Sequence, residues 1–434
     1  MNFNLLQHIR GNDDYSVIWL FNIGLEKYWN GEVFTVKNSG DDIVVNHMEE
    51  MNLLIAKKQD ILILRDMPSK DYLDALKAQG ITIPTIVCPN IKDETKSISE
   101  IVLEDTEFIG ELRELALSKS NVVFVPYGVS YLEEDIAKKL DVTLFGSPND
   151  VNKKINNKVF SREFALSHDF RVPAGHVCKG YDELKEKSAE YLESYGKIII
   201  KEPCGASGKG LWVVETAAKL KSTLLIIKRF FGDNLDGDWV VEEWCTKQCD
   251  LNYQVYVGND GEVEVFSVKE QKVDGTVYIG SVIPPSFSED IFEECRRDGM
   301  IIGKELYDMG YRGVLGIDAM ILESGELVPI VEINGRFTLS TYVSFLDVVF
   351  GKVNKTFAFY RRLSMKEVAS YSELSDKLSK AGHLYDGNRG MFVYTSETIN
   401  ADRVGDYGRM FGLIFAENEE DMMSQHEDIV GLIS

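Results

Sequence analysis

The rhythm of apolar runs changes once along this chain, and the change implies that two kinds of sheet are built in succession. Up to about residue 150, short apolar runs at Val17–Ile23, Ile61–Leu64, Thr82–Val87 and Val122–Pro126 alternate with stretches at Lys70–Gln79, Glu107–Ser118 and Tyr131–Leu140, whose apolar positions recur every three or four residues. Strand and helix in alternation predict parallel α/β units. Gly146-Ser147-Pro148-Asn149-Asp150 closes that pattern, and the polar, basic stretch Asn152–Lys158 leads into a helix through Phe160–Ser167. After Pro173 the runs become strands joined by glycine turns: Lys197–Lys201, Leu211–Glu215 and Trp239–Trp244, then Asn252–Val257 facing Glu262–Val268 across Gly258-Asn259-Asp260-Gly261. A helix over Ile291–Met309 precedes a second hairpin, Gly313–Leu322 with Leu327–Ile333. The expected fold class is therefore multidomain, parallel α/β in residues 1–150 and antiparallel α+β in residues 151–350. Residues 351–434 form a less legible C-terminal segment that either completes or is appended to the second domain. In it a Tyr/Arg segment at Tyr360–Arg362, a helix over Ser372–Ala381, a strand at Gly390–Tyr394 and an acidic finish stand out.

Charge and composition remove several functions. The formal net charge of −23 repels phosphate backbones and anionic lipid over most of the surface, so nucleic acid and membrane are not expected partners. The longest apolar runs fall far short of a membrane span, and polar residues interrupt Met1–Arg10, where neither a secretory signal nor a transit peptide is visible. Six cysteines in a chain of 434 residues do not read as a disulfide framework, and Cys245 and Cys249 lack a second ligand pair for zinc. A reducing cytoplasm is the expected compartment. An anionic ligand would have to be drawn in by a local basic cluster.

Glu332-Ile333-Asn334-Gly335-Arg336 is the most informative stretch. Residues two apart on a strand share a face, so Glu332 and Asn334 present a carboxylate and an amide side by side. If Ser324-Gly325-Glu326 closes the hairpin as a three-residue loop, Asp318 falls opposite Glu332 and three hard oxygen ligands converge, the set Mg²⁺ prefers. A one-residue change of turn would put Asp318 on the other face, and a solvated strand end is the competing reading. Lys201-Glu202-Pro203-Cys204-Gly205-Ala206-Ser207-Gly208-Lys209-Gly210 invites comparison with a P-loop and fails it: Pro203 stands where the first glycine belongs, Gly210 where Ser or Thr belongs, and a strand follows in place of a helix. What remains is a loop of small residues whose amides could close over phosphates, with Lys201 and Lys209 as point charges; a plain tight hairpin needs fewer glycines. Cys204 has no histidine close in sequence to activate it and reads as a filler, not a nucleophile.

Taken in order, these elements resemble the ATP-grasp superfamily over Asn149 to Phe345. The resemblance implies that Lys158, fifteen residues before Pro173, and Lys201 contact ATP phosphates, that Gly205, Ala206, Ser207, Gly208, Lys209 and Gly210 form the phosphate lid of a subdomain spanning about 174–242, and that Glu242, Glu243 and Trp244 address adenine and ribose. It implies Asp318, Glu332 and Asn334 as ligands of one or two Mg²⁺ ions, replaceable by Mn²⁺, and Arg336 as the arginine that steadies the reacting carboxylate. Residues 1–150 look like the domain that precedes the ATP-grasp fold in these ligases. The implied activity is attack of an amino acid or peptide carboxylate on the γ-phosphoryl group of ATP, giving an acyl phosphate that an amine then captures. Loading of an amino acid onto the thiol of a carrier protein is the alternative. A kinase or phosphotransferase, and a non-catalytic nucleotide-binding regulator, complete the field. Substrate identity and oligomeric state leave no mark in the sequence.

Overall fold

The computed structural model describes residues 5–10, 15–30, 39–203, 210–231, 238–351 and 353–433. Strands β1 (Ser16–Leu20), β2 (Ile61–Ile63), β3 (Thr85–Val87), β4 (Val122–Pro126) and β5 (Thr143–Leu144) pair in parallel in the order β3-β2-β1-β4-β5. Every residue of β1 is buried, as expected where helices cover both faces of a parallel sheet. Its helices start on sequence-encoded caps: Ser69 Oγ accepts from Tyr72 N, and Ser97 with Glu100 and Ser130 with Glu133 close capping boxes.

A second sheet holds β6 (Gly175–Lys179), β7 (Ile198–Lys201), β8 (Leu211–Val214) and β9 (Asp238–Glu243) in the antiparallel order β6-β9-β7-β8. The helices Gly180–Tyr195 and Ala217–Phe231 bury their apolar stripes on one face of it, leaving Ile199, Lys201, Leu211 and Glu242 to face the cleft.

The third sheet has eight strands: β10 (Lys247–Val257), β11 (Val263–Asp274), β12 (Val277–Ile283), β13 (Gly313–Leu322), β14 (Leu327–Asn334), β15 (Lys355–Ser364), β16 (Gly390–Val393) and β17 (Tyr407–Ala416), ordered β14-β13-β10-β11-β12-β15-β17-β16. Strands β15 to β17 come from residues 351–434 and hydrogen-bond into the sheet through β12, so the C-terminal segment shares one sheet with β10 to β14. One apolar cluster joins Trp19 and Leu62 of the first sheet, and Tyr127 just after β4, to Tyr342, Ala358 and Phe411, which seats the parallel unit against the third sheet. Among the described residues no helix is long and apolar enough to cross a membrane.

The helix Glu289–Asp308 lies on the back of β10 and β11 through Gly299 and Gly303, four residues apart on one face. A Cβ at Gly299 would stand 2.6 Å from Val265 Cγ2, and one at Gly303 would meet Val263 Cγ1. These glycines set how closely the helix sits behind the strands that carry the cleft. Gly299→Val should therefore destabilise the fold by about 1–3 kcal/mol through overpacking, read from the urea midpoint; an unchanged midpoint would mean that the helix rides higher than its packing indicates.

Candidate active site

Asp318 stands directly opposite Glu332, and Asn334 opposite Gly316, so all three polar side chains share one face of the β13–β14 ribbon. The expected facing of Asp318 and Glu332 is present, but the turn that produces it differs. Ile321 pairs with Leu327, Leu322 N donates to Glu326 O, and the loop is Glu323-Ser324-Gly325 with Gly325 at φ +87°. That turn alone would place Asp318 opposite Ile330. Between Ala319 and Pro329-Ile330-Val331 the register shifts, and Pro329, which has no N–H to give to the ladder, occupies the bulge that brings Glu332 back into line.

The carboxylate of Asp318 accepts from Asn252 Nδ2 (2.9 Å) and Gln271 Nε2 (3.0 Å) at Oδ1, and from Asn334 Nδ2 (3.0 Å) at Oδ2. Loss of surrounding water, and next the neighbouring charge of Glu332, push it up to about 6 despite these amides. Glu332 Oε1 lies 2.7 Å from Lys158 Nζ. Lys158 opens the helix Lys158–Ser167, capped by Asn157, and the same helix anchors β14 where Ile333 N donates to Ser161 Oγ at 3.0 Å.

Lys201 and Glu242 come together across β7 and β9, Nζ to Oε2 at 2.5 Å, while Arg162 holds the other oxygen of Glu242 at 2.7 Å and Pro173 O at 3.1 Å. Both oxygens of Glu242 are thus occupied by cations, one of them Lys201. Glu243 Oε1 accepts from Ala174 N at 2.8 Å, and the ring of Trp244 has Lys197 and Lys247 within 5.1 and 5.6 Å. Arg336, 8% exposed, donates from NH1 to Tyr127 Oη (2.9 Å) and Phe337 O (3.0 Å), and its Nε lies 3.0 Å from Glu26 Oε1. The parallel unit therefore contributes two side chains to this arginine.

Lys158, Lys201, Glu242, Glu243, Trp244, Asp318, Glu332, Asn334 and Arg336 all line one cleft of about 260 Å³. Gly205, Ala206, Ser207, Gly208 and Lys209 lie outside the described residues. Gly210 is described: its φ of +76° suits glycine, and a Cβ there would stand 2.9 Å from the Glu202 carboxyl carbon.

Several cleft residues escaped the sequence reading. Tyr127, Asn252, Gln271, Tyr278, Thr338 and Ser340 line the same space. Beneath them runs a relay in which Thr341 Oγ1 donates to Gln254 Oε1 (2.6 Å), Gln254 Nε2 to Asn252 Oδ1 (2.5 Å), and Asn252 to Asp318. Lys269, opposite Asn252, is fully buried and donates to Ser267 Oγ and Ser344 Oγ, both at 2.6 Å. The detectable signal is polar alternation on β10, Asp250/Asn252/Gln254 between apolar residues; on β11 Ser267, Lys269 and Gln271 share a face, but the polar run Lys269-Glu270-Gln271-Lys272 hides the alternation.

Among the described residues no three His, Cys, Asp or Glu side chains form a metal cluster. A cation here would depend on two carboxylates completed by Asn334 Oδ1, water and phosphate oxygens, which is the donor set of Mg²⁺. Among the described residues nothing donates to Asn334 Oδ1 or Glu332 Oε2, so hard lone pairs remain on the shared face. The residues fit the ion.

Residues 48–142 match the family model of the Pre ATP-grasp domain, and residues 155–340 that of the ATP-grasp domain. The chain belongs to the ATP-grasp superfamily. It is similar to the [butirosin acyl-carrier protein]–L-glutamate ligase of Niallia circulans, with 26% identity over 331 residues that cover 75% of this chain and 73% of that protein. Its fold is shared with the biotin carboxylase–β,γ-ATP complex from Campylobacter jejuni, at a TM-score of 0.59 and 14% identity over 97% of this chain and 91% of that one. It is shared also with N5-carboxyaminoimidazole synthetase from Staphylococcus aureus complexed with ADP, at 0.55 and 11% over 96% and 97%. In ATP-grasp terms the cleft lies between the sheet of β6 to β9 and the sheet that begins with β10.

Burial alone lowers Lys269 to about 7, and among the described residues no carboxylate pairs with it. A lysine depressed in the folded state is charged first in the unfolded chain, which binds more protons up to its own pKa near 10.4, so stability rises with pH across that interval. Between pH 7.5 and 9.5 the wild type should gain on the order of 2 kcal/mol over Lys269→Met in urea unfolding. Parallel pH profiles would show that Lys269 keeps its proton in the fold.

Proposed function

We propose that this ATP-grasp ligase activates the carboxylate of an amino acid as an acyl phosphate and passes the acyl group to an acceptor, releasing ADP and phosphate. The observation that carries the reading is the convergence of Asp318, Glu332 and Asn334 on one ribbon face with Lys158, Lys201 and Arg336 around the same cleft. The reaction brings one anion onto another, and the chain's own residues reduce that repulsion. Lys158 and Lys201 face the phosphates. Arg336, held by Tyr127, Phe337 O and Glu26, lines the cleft and would meet a substrate carboxylate through NH2, which has no hydrogen-bond partner among the described residues. Bound by Asp318, Glu332 and Asn334, Mg²⁺ would screen charge on the phosphoryl oxygens. Tyr127, Tyr278 and Leu339 wall the space in which an acyl phosphate would have to be kept from water.

An amine is the first acceptor to consider. A carrier-bound thiol is the second, favoured by the similarity to a ligase whose name specifies an acyl-carrier protein. Hydroxylamine tests the common step without either. With ATP, Mg²⁺ and the common amino acids supplied singly and in pairs, one or more should yield a hydroxamate and ADP. A stable phosphorylated product in place of a hydroxamate would contradict the acyl-transfer reading. Glu332→Gln and Asn334→Ala should each lower ADP release by about a hundredfold with thermal stability retained, and normal turnover would remove either residue from the metal site. Arg336→Ala should reduce product more than ADP release if it acts on the tetrahedral intermediate, and both equally if it acts in phosphorylation.

A further inference from the structure

Beyond Gln271 the wall of the cleft is built from hydroxyl groups. Gln271 donates to Asp318 and stands directly opposite Ser281 of β12, so the two share one face of the sheet and Ser281 lies one strand further from the metal-binding acids. Ser281 Oγ shares hydrogen bonds with Tyr278 Oη at 2.9 Å and with Ser340 Oγ at 3.4 Å. Tyr278 and Ser340 line the cleft, and Ser281 is buried behind them. Ser340 is fixed from below, where Ser344 Oγ accepts from Lys269 and donates to Ser340 O at 2.9 Å. It follows Arg336 by four residues, on the short helix Leu339–Tyr342.

The cluster carries no charge. Burial pushes the Tyr278 hydroxyl up to about 12, so all three groups keep their protons at neutral pH. Each hydroxyl has one proton and two lone pairs, so bonds within the cluster leave lone pairs over, and any member can turn its proton outward. Among the described residues, the charged side chains that line the cleft are the proposed nucleotide and metal contacts, Arg336, and Lys247 with Asp250, which pair with each other at 2.6 Å.

We propose that Tyr278, Ser281 and Ser340 form the pocket for the side chain of the amino acid being activated, and that this pocket selects an uncharged side chain bearing a hydroxyl or an amide. The proposal rests on the carboxylate-activating reading of the cleft and names the class of acid within it. With the reacting carboxylate at Arg336, the rest of the substrate is carried toward Ser340, which faces the same space. A hydroxyl or amide both gives and takes hydrogen bonds, as the cluster does. A carboxylate or ammonium would lose its water there without meeting an opposite charge, and an alkyl group would displace water from the hydroxyls and return no hydrogen bond.

Two near-isosteric pairs separate charge from hydrogen bonding: glutamine with glutamate, and threonine with valine. In calorimetric titration of the full chain saturated with ADP and Mg²⁺, the wild type should bind glutamine at least about tenfold more tightly than glutamate, and threonine at least about tenfold more tightly than valine. Tyr278→Phe and Ser340→Ala should each bring threonine and valine within about threefold of each other. Glutamate bound as tightly as glutamine, valine bound as tightly as threonine, no measurable binding of any of the four, or a threonine preference that survives in both variants overturns the proposal. Hydroxamate formation separates this pocket from the reading beneath it. Hydroxamate from the wild type with glutamate or valine preferred would leave the ligase and remove the pocket. Failure to give hydroxamate with any amino acid would contradict the ligase reading, whereas the calorimetric comparison judges the pocket by itself.

Discussion

Two carboxylates, Asp318 and Glu332, are held against each other across an antiparallel ribbon, and the rest of the site is arranged around that repulsion. Left in an apolar strand pair, such a juxtaposition would favour another register, because opposed like charges cost energy and a slip would separate them. Here three amides converge on Asp318, Lys158 pairs with Glu332, and the Pro329 bulge allows the facing at the one place where it is wanted. The helix Lys158–Ser167 supports the arrangement twice, through the Lys158 ammonium and through the Ser161 hydroxyl that accepts from Ile333 N. The structure thus spends polar groups, otherwise costly to bury, on keeping two acids together.

How far this was legible follows the range of the signals. Periodicity is local, so the α/β rhythm of residues 1–150 and both long hairpins could be read, with strand ends off by a few residues. The facing of Asp318 and Glu332 was legible for a reason that the structure alters: a turn placed one residue late and a bulge left out cancel in the register. Strands β12 and β17 were not identified, since their glycines, Gly280 beside Ala358 and Phe359 and Gly412 beside Met391, interrupt the apolar run. Those glycines are there because neighbouring chain passes close by, a tertiary fact that no window of sequence contains. For the same reason residues 351–434 looked detached, although their strands join the sheet through β12.

The polar floor is a different case. Asn252 and Gln254 alternate with apolar neighbours, while Lys269 and Gln271 belong to the polar run Lys269-Glu270-Gln271-Lys272, and on any single strand either pattern also describes an ordinary solvated face. Only when three strands are laid side by side do the polar residues fall on the same inner surface, and burial then turns an unremarkable alternation into a connected network. Glu26 and Tyr127 were further from reach, since they belong to the parallel unit and meet Arg336 through contacts about 200 or more positions apart in sequence. Of the residues assigned through motif order, Lys158, Lys201, Glu242, Glu243, Trp244, Asp318, Glu332, Asn334 and Arg336 do line one cleft, because strand order carries them there regardless of turn details.

Each cation in the cleft to which anion binding is assigned already has a carboxylate partner: Lys158 has Glu332, Lys201 has Glu242 and Arg336 has Glu26. In a strongly acidic chain this pairing acts as a filter. A bare anion entering the cleft must draw a cation away from its partner and leave that acid half-buried without compensation, a large penalty. An anion that arrives with divalent cations would incur less of it, since a cation held by Asp318, Glu332 and Asn334 would compensate Glu332 when Lys158 is drawn to phosphate. Glu242 loses less still, because Arg162 continues to hold its other oxygen when Lys201 turns away. Under the proposed function the two lysines would thus disfavour free phosphate and favour a metal-bound polyphosphate, discrimination achieved by what the wrong ligand would leave unpaired.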